Sequence, residues 1–269
     1  MRGRNLPVIT NVNLINPIGT LPDGLPVFST AVNASTRVDP RYNVINSVLS
    51  AGESTYKNLT LQFTRRQSNG IQFDLAYTLG RSEDNAPITS TLSVQGDAGR
   101  VDPTNLDRDK GPNILDQRHT FTGSIVATPR IEASNGFVRA LVNDNVFGIL
   151  MLFANGIPVN LRANRELNND GTNSDRPTGV PRNSLSLPAR YNVDFRYSRQ
   201  FSLGGARKAE VLAEVKNLFN TVQWASVNAN IVVDALGNPV SALPTSAEQL
   251  PPTGGYEQRQ LQLGFRVVF

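Results

Sequence analysis

The sequence predicts an all-β fold of antiparallel strands, each with one apolar and one wet face. Three observations predict it. Several segments alternate apolar and polar residues with a period of two, the mark of a half-buried strand. No stretch keeps the 3.6-residue spacing of an amphipathic helix, and none reaches the roughly 18 apolar residues of a membrane-spanning helix. The connections divide into tight glycine turns and long polar stretches.

The strands are expected near 41–49, 56–67, 70–82, 118–128, 145–161, 189–202, 207–218 and 259–269. Alternation is clearest in three of them. Ile71, Phe73, Leu75, Tyr77 and Leu79 alternate with Gln72, Asp74, Ala76, Thr78 and Gly80. Tyr191, Val193, Phe195 and Tyr197 alternate with Asn192, Asp194, Arg196 and Ser198. At the end of the chain, Leu261, Leu263, Phe265, Val267 and Phe269 share one face. Leu59-Leu61-Phe63, Phe121-Ile125 and Val211-Ala213-Val215 are weaker versions, and Val146 to Ala154 is apolar on both faces. Residues 1–40 carry Pro and Gly breaks and only weak patterning, so they read as loop or a ragged edge.

Ser68-Asn69-Gly70 and Leu203-Gly204-Gly205 are tight turns, with glycine supplying positive φ. The stretches 83–117, 163–188 and 219–257 are long and rich in Asn, Asp, Gly, Pro, Ser and Thr. Short turns at one end and long loops at the other are the layout of an outer-membrane β-barrel. Strands of about 9–11 residues suffice to cross a bilayer at a tilt. Placing the end of the last strand at the periplasmic face puts every long loop outside and every short turn inside, the medium connection 129–144 apart. Aromatic residues at strand ends (Tyr191, Phe201, Phe219 and Phe269) suit the girdle of such a barrel.

Composition removes several functions. There are no cysteines, hence no disulfide scaffold, thiol nucleophile or cysteine metal site. The net charge is only +4, and the arginines are scattered from Arg2 to Arg266 rather than gathered in a patch, so no nucleic-acid partner is expected. Met1-Arg2-Gly3-Arg4-Asn5-Leu6-Pro7 has basic residues but no apolar segment after them, so no secretory signal is expected in this chain.

The most specific motif closes the chain. Gln262-Leu263-Gly264-Phe265-Arg266-Val267-Val268-Phe269 resembles the β-signal read by the barrel-assembly machinery of Gram-negative bacteria, with Gln262, Gly264, Phe265, Val267 and Phe269 at the signal positions. Asp175-Arg176-Pro177, Pro181-Arg182-Asn183-Ser184 and Tyr191-Asn192-Val193-Asp194-Phe195-Arg196 resemble the closing strands of TonB-dependent receptors. Glu210-Val211-Leu212-Ala213-Glu214-Val215-Lys216-Asn217-Leu218-Phe219-Asn220 is similar to their penultimate strand and its exit. Asp116-Gln117-Arg118-His119-Thr120-Phe121 resembles an earlier strand of the Oar-like, carboxypeptidase-regulatory-domain subgroup.

The resemblance spans roughly residues 40–269 and implies a barrel of about 22 strands, an internal plug and import driven by the TonB complex. Residues 41–269 are then the C-terminal part of that barrel, roughly eight strands of it. The expected partners are outer-membrane lipid, the assembly machinery, the remaining strands and plug, and then TonB. The ligand is not legible. Two other functions compete: a non-transporting outer-membrane barrel or surface structural protein, and a soluble β-sandwich that binds carbohydrate or hydrolyses it.

No catalytic residues are expected. His119 is the single histidine and has no second ligand or nucleophile at motif spacing. Glu83, Asp84, Asp102, Asp107 and Asp109 fall in one loop, where solvation explains them, and Glu210 and Glu214 share one strand face as lumen-facing acids. The sharpest local motif is Glu166-Leu167-Asn168-Asn169-Asp170-Gly171-Thr172-Asn173-Ser174-Asp175. Its oxygens suggest calcium, with Asn168, Asp170 and Asp175 as ligands. Pro177 stands where the closing bidentate Glu of an EF-hand belongs, and the reading favoured is an Asn/Asp turn cluster with no cofactor.

Overall fold

The computed structural model describes residues 1–86, 100–132, 134–205 and 207–269. The centre of the long stretch 83–117 therefore lies outside the described residues. Eight long strands form one antiparallel sheet: β1 (Arg2–Asn11), β2 (Asn46–Ser68), β3 (Ile71–Asp84), β4 (His119–Ala127), β5 (Asn145–Ala154), β6 (Arg190–Gly204), β7 (Arg207–Lys216) and β8 (Gln260–Val268). Each pairs with its neighbours in chain order, and a short strand, Gly111–Pro112, adds to the top of β3. β1 and β8 end the order and do not pair with each other, so the sheet is an open wall with two free edges.

Four of the predicted strands match within two residues at each end: β3, β4, β6 and β7. β8 also lies where the alternation placed it. Three expectations need correction. The segments expected over 41–49 and 56–67 are joined in one strand, Asn46–Ser68, because Ser50-Ala51-Gly52-Glu53, turn-like in composition, continues the pairing with β1 through a register shift between Leu6 and Pro7, while residues 41–45 stay outside it. A Cβ on Gly52 would come within 3.2 Å of the Leu6 carbonyl oxygen, so the glycine marks a close crossing and not a turn. Residues 2–11 form an edge strand, hidden in the sequence by Pro7 and by a register shift around Asn5, which sits at φ 56°.

The strand expected over 145–161 stops at Ala154. The next residues fold back, and Pro158–Val159 pairs with Leu185–Ser186 instead. The medium connection 129–144 holds a short helix, α1 (Gly136–Val142), whose N-cap Asn135 accepts from the amides of Phe137 and Val138.

The register sorts the two faces. Tyr77 lies opposite Phe121, Phe121 opposite Phe153 and Phe153 opposite Tyr191, so one apolar row crosses four strands. Phe121 and Phe153 are near-parallel at 5.6 Å between centroids, a favourable aromatic pair. On the reverse face Thr60 meets Thr78 at 3.0 Å, Gln62 donates to Asp74, and Glu214 lies opposite both Arg196 and Gln262.

The hydrophobic core is not between sheets. It lies in the long connections, which are structured and share one cluster. Leu21 and Leu25 come from the first connection, Val101 from the second, Val159, Leu161, Ala163, Leu167 and Leu187 from the third, and Val227, Ala229, Ile231, Val233, Ala247 and Leu250 from the fourth. All four connections leave the same end of the sheet, so their apolar residues can bury one another.

Candidate functional site

Two surfaces carry function: the apolar face of the wall and the loop layer above it. Leu61, Phe63, Leu261, Leu263 and Phe265 are each at least 60% exposed, and none of the described residues covers them. An apolar patch of this extent needs an apolar environment. A soluble sandwich would bury these residues between two sheets, and none is buried; that alternative is overturned.

The wet face meets the loop layer at a recess lined by Arg190, Asn192, Asp194, Lys216, Gln223 and Tyr256. The Arg190 guanidinium lies 3.9 Å from the Tyr256 ring centroid, and its Nε donates to Gln223 Oε1 at 3.0 Å. Asp194 accepts from the backbone amide of Asn217 and from Asn192 Nδ2, both at 2.8 Å. These bonds tie the fourth connection to the lumen side of β6.

Buried ion pairs hold the loop layer together. Arg176 Nη1 donates to Asp109 at 2.8 Å, and both side chains are buried. Arg182, also buried, pairs with Asp84 at the top of β3 and donates to the Asp109 carbonyl at 3.0 Å. Arg108 bridges Asp102 at 3.0 Å and Asp23 at 3.3 Å, joining the first two connections. The sequence motifs Asp175-Arg176-Pro177 and Pro181-Arg182-Asn183-Ser184 thus supply the clamps of this layer. That role was not legible beforehand, because the partners lie 67 and 98 residues away.

The acids weighed for catalysis are placed as structural groups. Asp84, Asp102 and Asp109 are those ion-pair partners, Glu83 pairs with Arg81, and Asp107 sits in a short 3-10 turn capped by Asn105. Glu210 lies opposite Arg266 and Glu214 opposite Arg196 on the wet face. His119 begins β4, with Nδ1 2.7 Å from the Tyr77 hydroxyl on the apolar face.

In the Glu166–Asp175 segment several side-chain oxygens accept from the loop's own amides, whereas Asp175 Oδ1 is buried and makes no hydrogen bond. Asn168 Oδ1 accepts from the Asp170 amide, Asp170 Oδ1 from the Thr172 amide and hydroxyl, and Glu166 from the Gly171 amide. Asp175 accepts from the Leu167 amide. Among the described residues no three Asp, Glu or His side chains converge as a metal cage. Burial pushes Asp170 up to about 6 and Asp175 up to about 7, the second helped by the nearby Asp170 charge. The geometry fits the turn cluster.

Of the residues that resemble the assembly signal, Gln262, Gly264, Phe265 and Val267 lie in β8 and Phe269 follows its last residue. Phe265 and Phe269 are exposed, Phe265 on the apolar face, while Gln262 faces the lumen side opposite Glu214. A Cβ on Gly264 would lie 2.9 Å from Leu212 Cγ, so the small residue leaves space for Leu212 on the neighbouring strand.

A family model described as an outer membrane beta barrel domain matches residues 1–181 of the 269. The chain belongs to that family. The match covers β1 to β5 and their loops, and the same sheet continues without a break through β6, β7 and β8. An outer membrane beta barrel domain accounts for the uncovered apolar face: it is the lipid-facing surface, and the protein is located in the outer membrane. Neither the curated proteins nor the solved structures give a match.

Proposed function

We propose that this barrel wall belongs to a TonB-dependent receptor and lines the import path of a ligand taken up from outside the cell. The observation that carries the reading is the open wall itself. Its inner face carries Asp74, Arg196, Glu210, Glu214 and Gln262 among a few apolar residues such as Leu150 and Leu212, and among the described residues β1 and β8 each pair on one side only. Free edges cannot face lipid, so further strands must complete the circle. A wide barrel with a charged lumen suits a plugged receptor better than a small barrel packed with side chains. The closing motifs after residue 175 support the same family, and the Oar-like subgroup follows from Asp116 to Phe121.

With the short turns periplasmic, the loop layer faces the outside and the Arg190–Tyr256 recess lies where a ligand leaves the loops for the lumen. The partners are then outer-membrane lipid, the assembly machinery, the remaining strands, the plug and TonB. No group here is assigned to catalysis. A planar-bilayer recording of the complete protein tests the reading. A plugged receptor holds the bilayer closed at rest; steady open-pore conductance without an energy source contradicts it. The rigid loop layer favours a second reading, a non-transporting surface barrel. Deleting the gene while following uptake of labelled iron chelates, oligosaccharides and peptides, with and without a protonophore, separates the two.

A further inference from the structure

We infer that α1 is a lipid anchor lying in the headgroup layer of the leaflet at the short-turn end of the wall, the periplasmic leaflet in the topology proposed above. Among the described residues no other element covers the apolar side of the helix. Phe137 is 76% exposed and Leu141 57%, with Val138 beside them. At 100° per residue these three share one side of the helix, and Arg139 falls off that stripe.

The side of the wall on which α1 lies is fixed by Asn145. This residue has the parity of Phe147 and Tyr197, which pair across the apolar face with rings 5.3 Å apart. The Asn145 amide accepts from the Tyr197 hydroxyl at 2.8 Å and donates to the carbonyls of Leu141 and Val142, both at 2.8 Å. The C-terminal turn of α1 is therefore held over the lipid-facing side, not over the lumen. Its surroundings are those of a membrane interface. Phe201, exposed on the same face, carries Arg199 over its ring at 5.2 Å, and the Tyr197 hydroxyl lies at the same level. Aromatic rings with polar tips and arginines that lie along apolar surface collect at the headgroup boundary. Apolar residues on one side of a helix, continuous with an established lipid-facing wall, complete the pattern of an interfacial helix. The occupant of its apolar side is phospholipid.

These 269 residues contain no cysteine, and single nitroxide labels are introduced after any cysteine elsewhere in the complete protein is replaced by serine. Labels at Phe137→Cys and Leu141→Cys would be compared in outer membranes from cells making the complete protein. Leu61→Cys on the wall is the lipid reference and Asn69→Cys in the turn is the water reference. The expected result is several-fold greater accessibility to oxygen than to a nickel chelate at 137 and 141, as at 61 and opposite to 69. Chelate accessibility at 137 and 141 equal to that at 69 would place the helix in water and overturn the inference. Labels immobilised and shielded from both reagents would mean a protein partner and would overturn it equally. Both substituted side chains are exposed, so folding is not at stake.

Discussion

Asp109 and Arg176 show how much of the loop layer hangs on single residues. Both are buried, 67 positions apart in sequence, and pair with each other, with Arg182 adding a second positive charge near Asp109. Removing one partner strands the other charge in a dry site, which costs about 3–5 kcal/mol. Asp109→Ala is therefore expected to raise amide exchange in residues 100–112 and 176–183 by more than a hundredfold while β4 and β5 stay protected. Mass-detected hydrogen exchange checks this, and unchanged protection in both peptides contradicts it.

Asp175 gives the pH dependence. Its folded value, about 7, lies above the ordinary 3.8 because burial penalises the carboxylate. The contribution of such a group is fully present below its unfolded pKa and is lost as pH rises through about 7, and through about 6 for Asp170. Trp224, the single tryptophan, packs against the loop core and reports its melting. Asp175→Asn is expected to raise that midpoint by a few degrees at pH 8 and to leave it nearly unchanged at pH 3, below the unfolded pKa, where the wild-type carboxyl is neutral in both states. Added calcium should not move the midpoint, because one oxygen each of Asn168, Asp170 and Asp175 accepts from a loop amide and no three acidic or histidine side chains converge among the described residues. A calcium shift abolished by Asp170→Ala would show a metal site instead.

At the scale of elements, strand order and connection length fix the topology. β2 to β3 and β6 to β7 are joined by turns at Asn69-Gly70 and Gly204-Gly205, where positive φ is met by Asn and Gly. The first, third and fourth connections emerge at the opposite end with their shared core. Single cysteines at Asn69 and Asn173, both exposed, convert this into a test. On whole cells an impermeant maleimide is expected to mark position 173 and not 69. The reverse pattern would invert the barrel and would move α1 to the outer leaflet.

For the whole molecule the governing fact is that the sheet has two edges. Unpaired edges cannot face lipid, so assembly is expected to bring each to a partner strand, and the last strand carries the residues that resemble the assembly signal. Phe269, 90% exposed, makes few contacts whose loss would cost folding energy. A charge near the interface costs only about 0–1 kcal/mol. Phe269→Lys in the complete protein is thus expected to lower its outer-membrane level through lost recognition, with the melting of material that does insert nearly unchanged. Quantifying surface abundance and heat-modifiability together decides it: full abundance contradicts the role of the terminal aromatic.

The alternating residues of β3, β6 and β8 determine by themselves which face meets lipid and which stays wet. A period of two is local, and a strand shows it whatever it pairs with. The glycine turns and the long polar connections likewise set the strand parity, since turn length depends only on neighbours in sequence. The tertiary structure decided three things that local pattern cannot carry. It drew Arg2–Asn11 into the sheet, because an edge strand broken by Pro7 and Asn5 is defined by its partner and not by its own alternation. It turned polar stretches into a layer with a core, because Leu21, Val101, Leu161 and Ile231 are too sparse to signal burial until four connections meet. And it paired Arg176 with Asp109 and Arg182 with Asp84, so that acids that read as solvated became clamps, since whether a charge is solvated or buried depends on what lies across the fold.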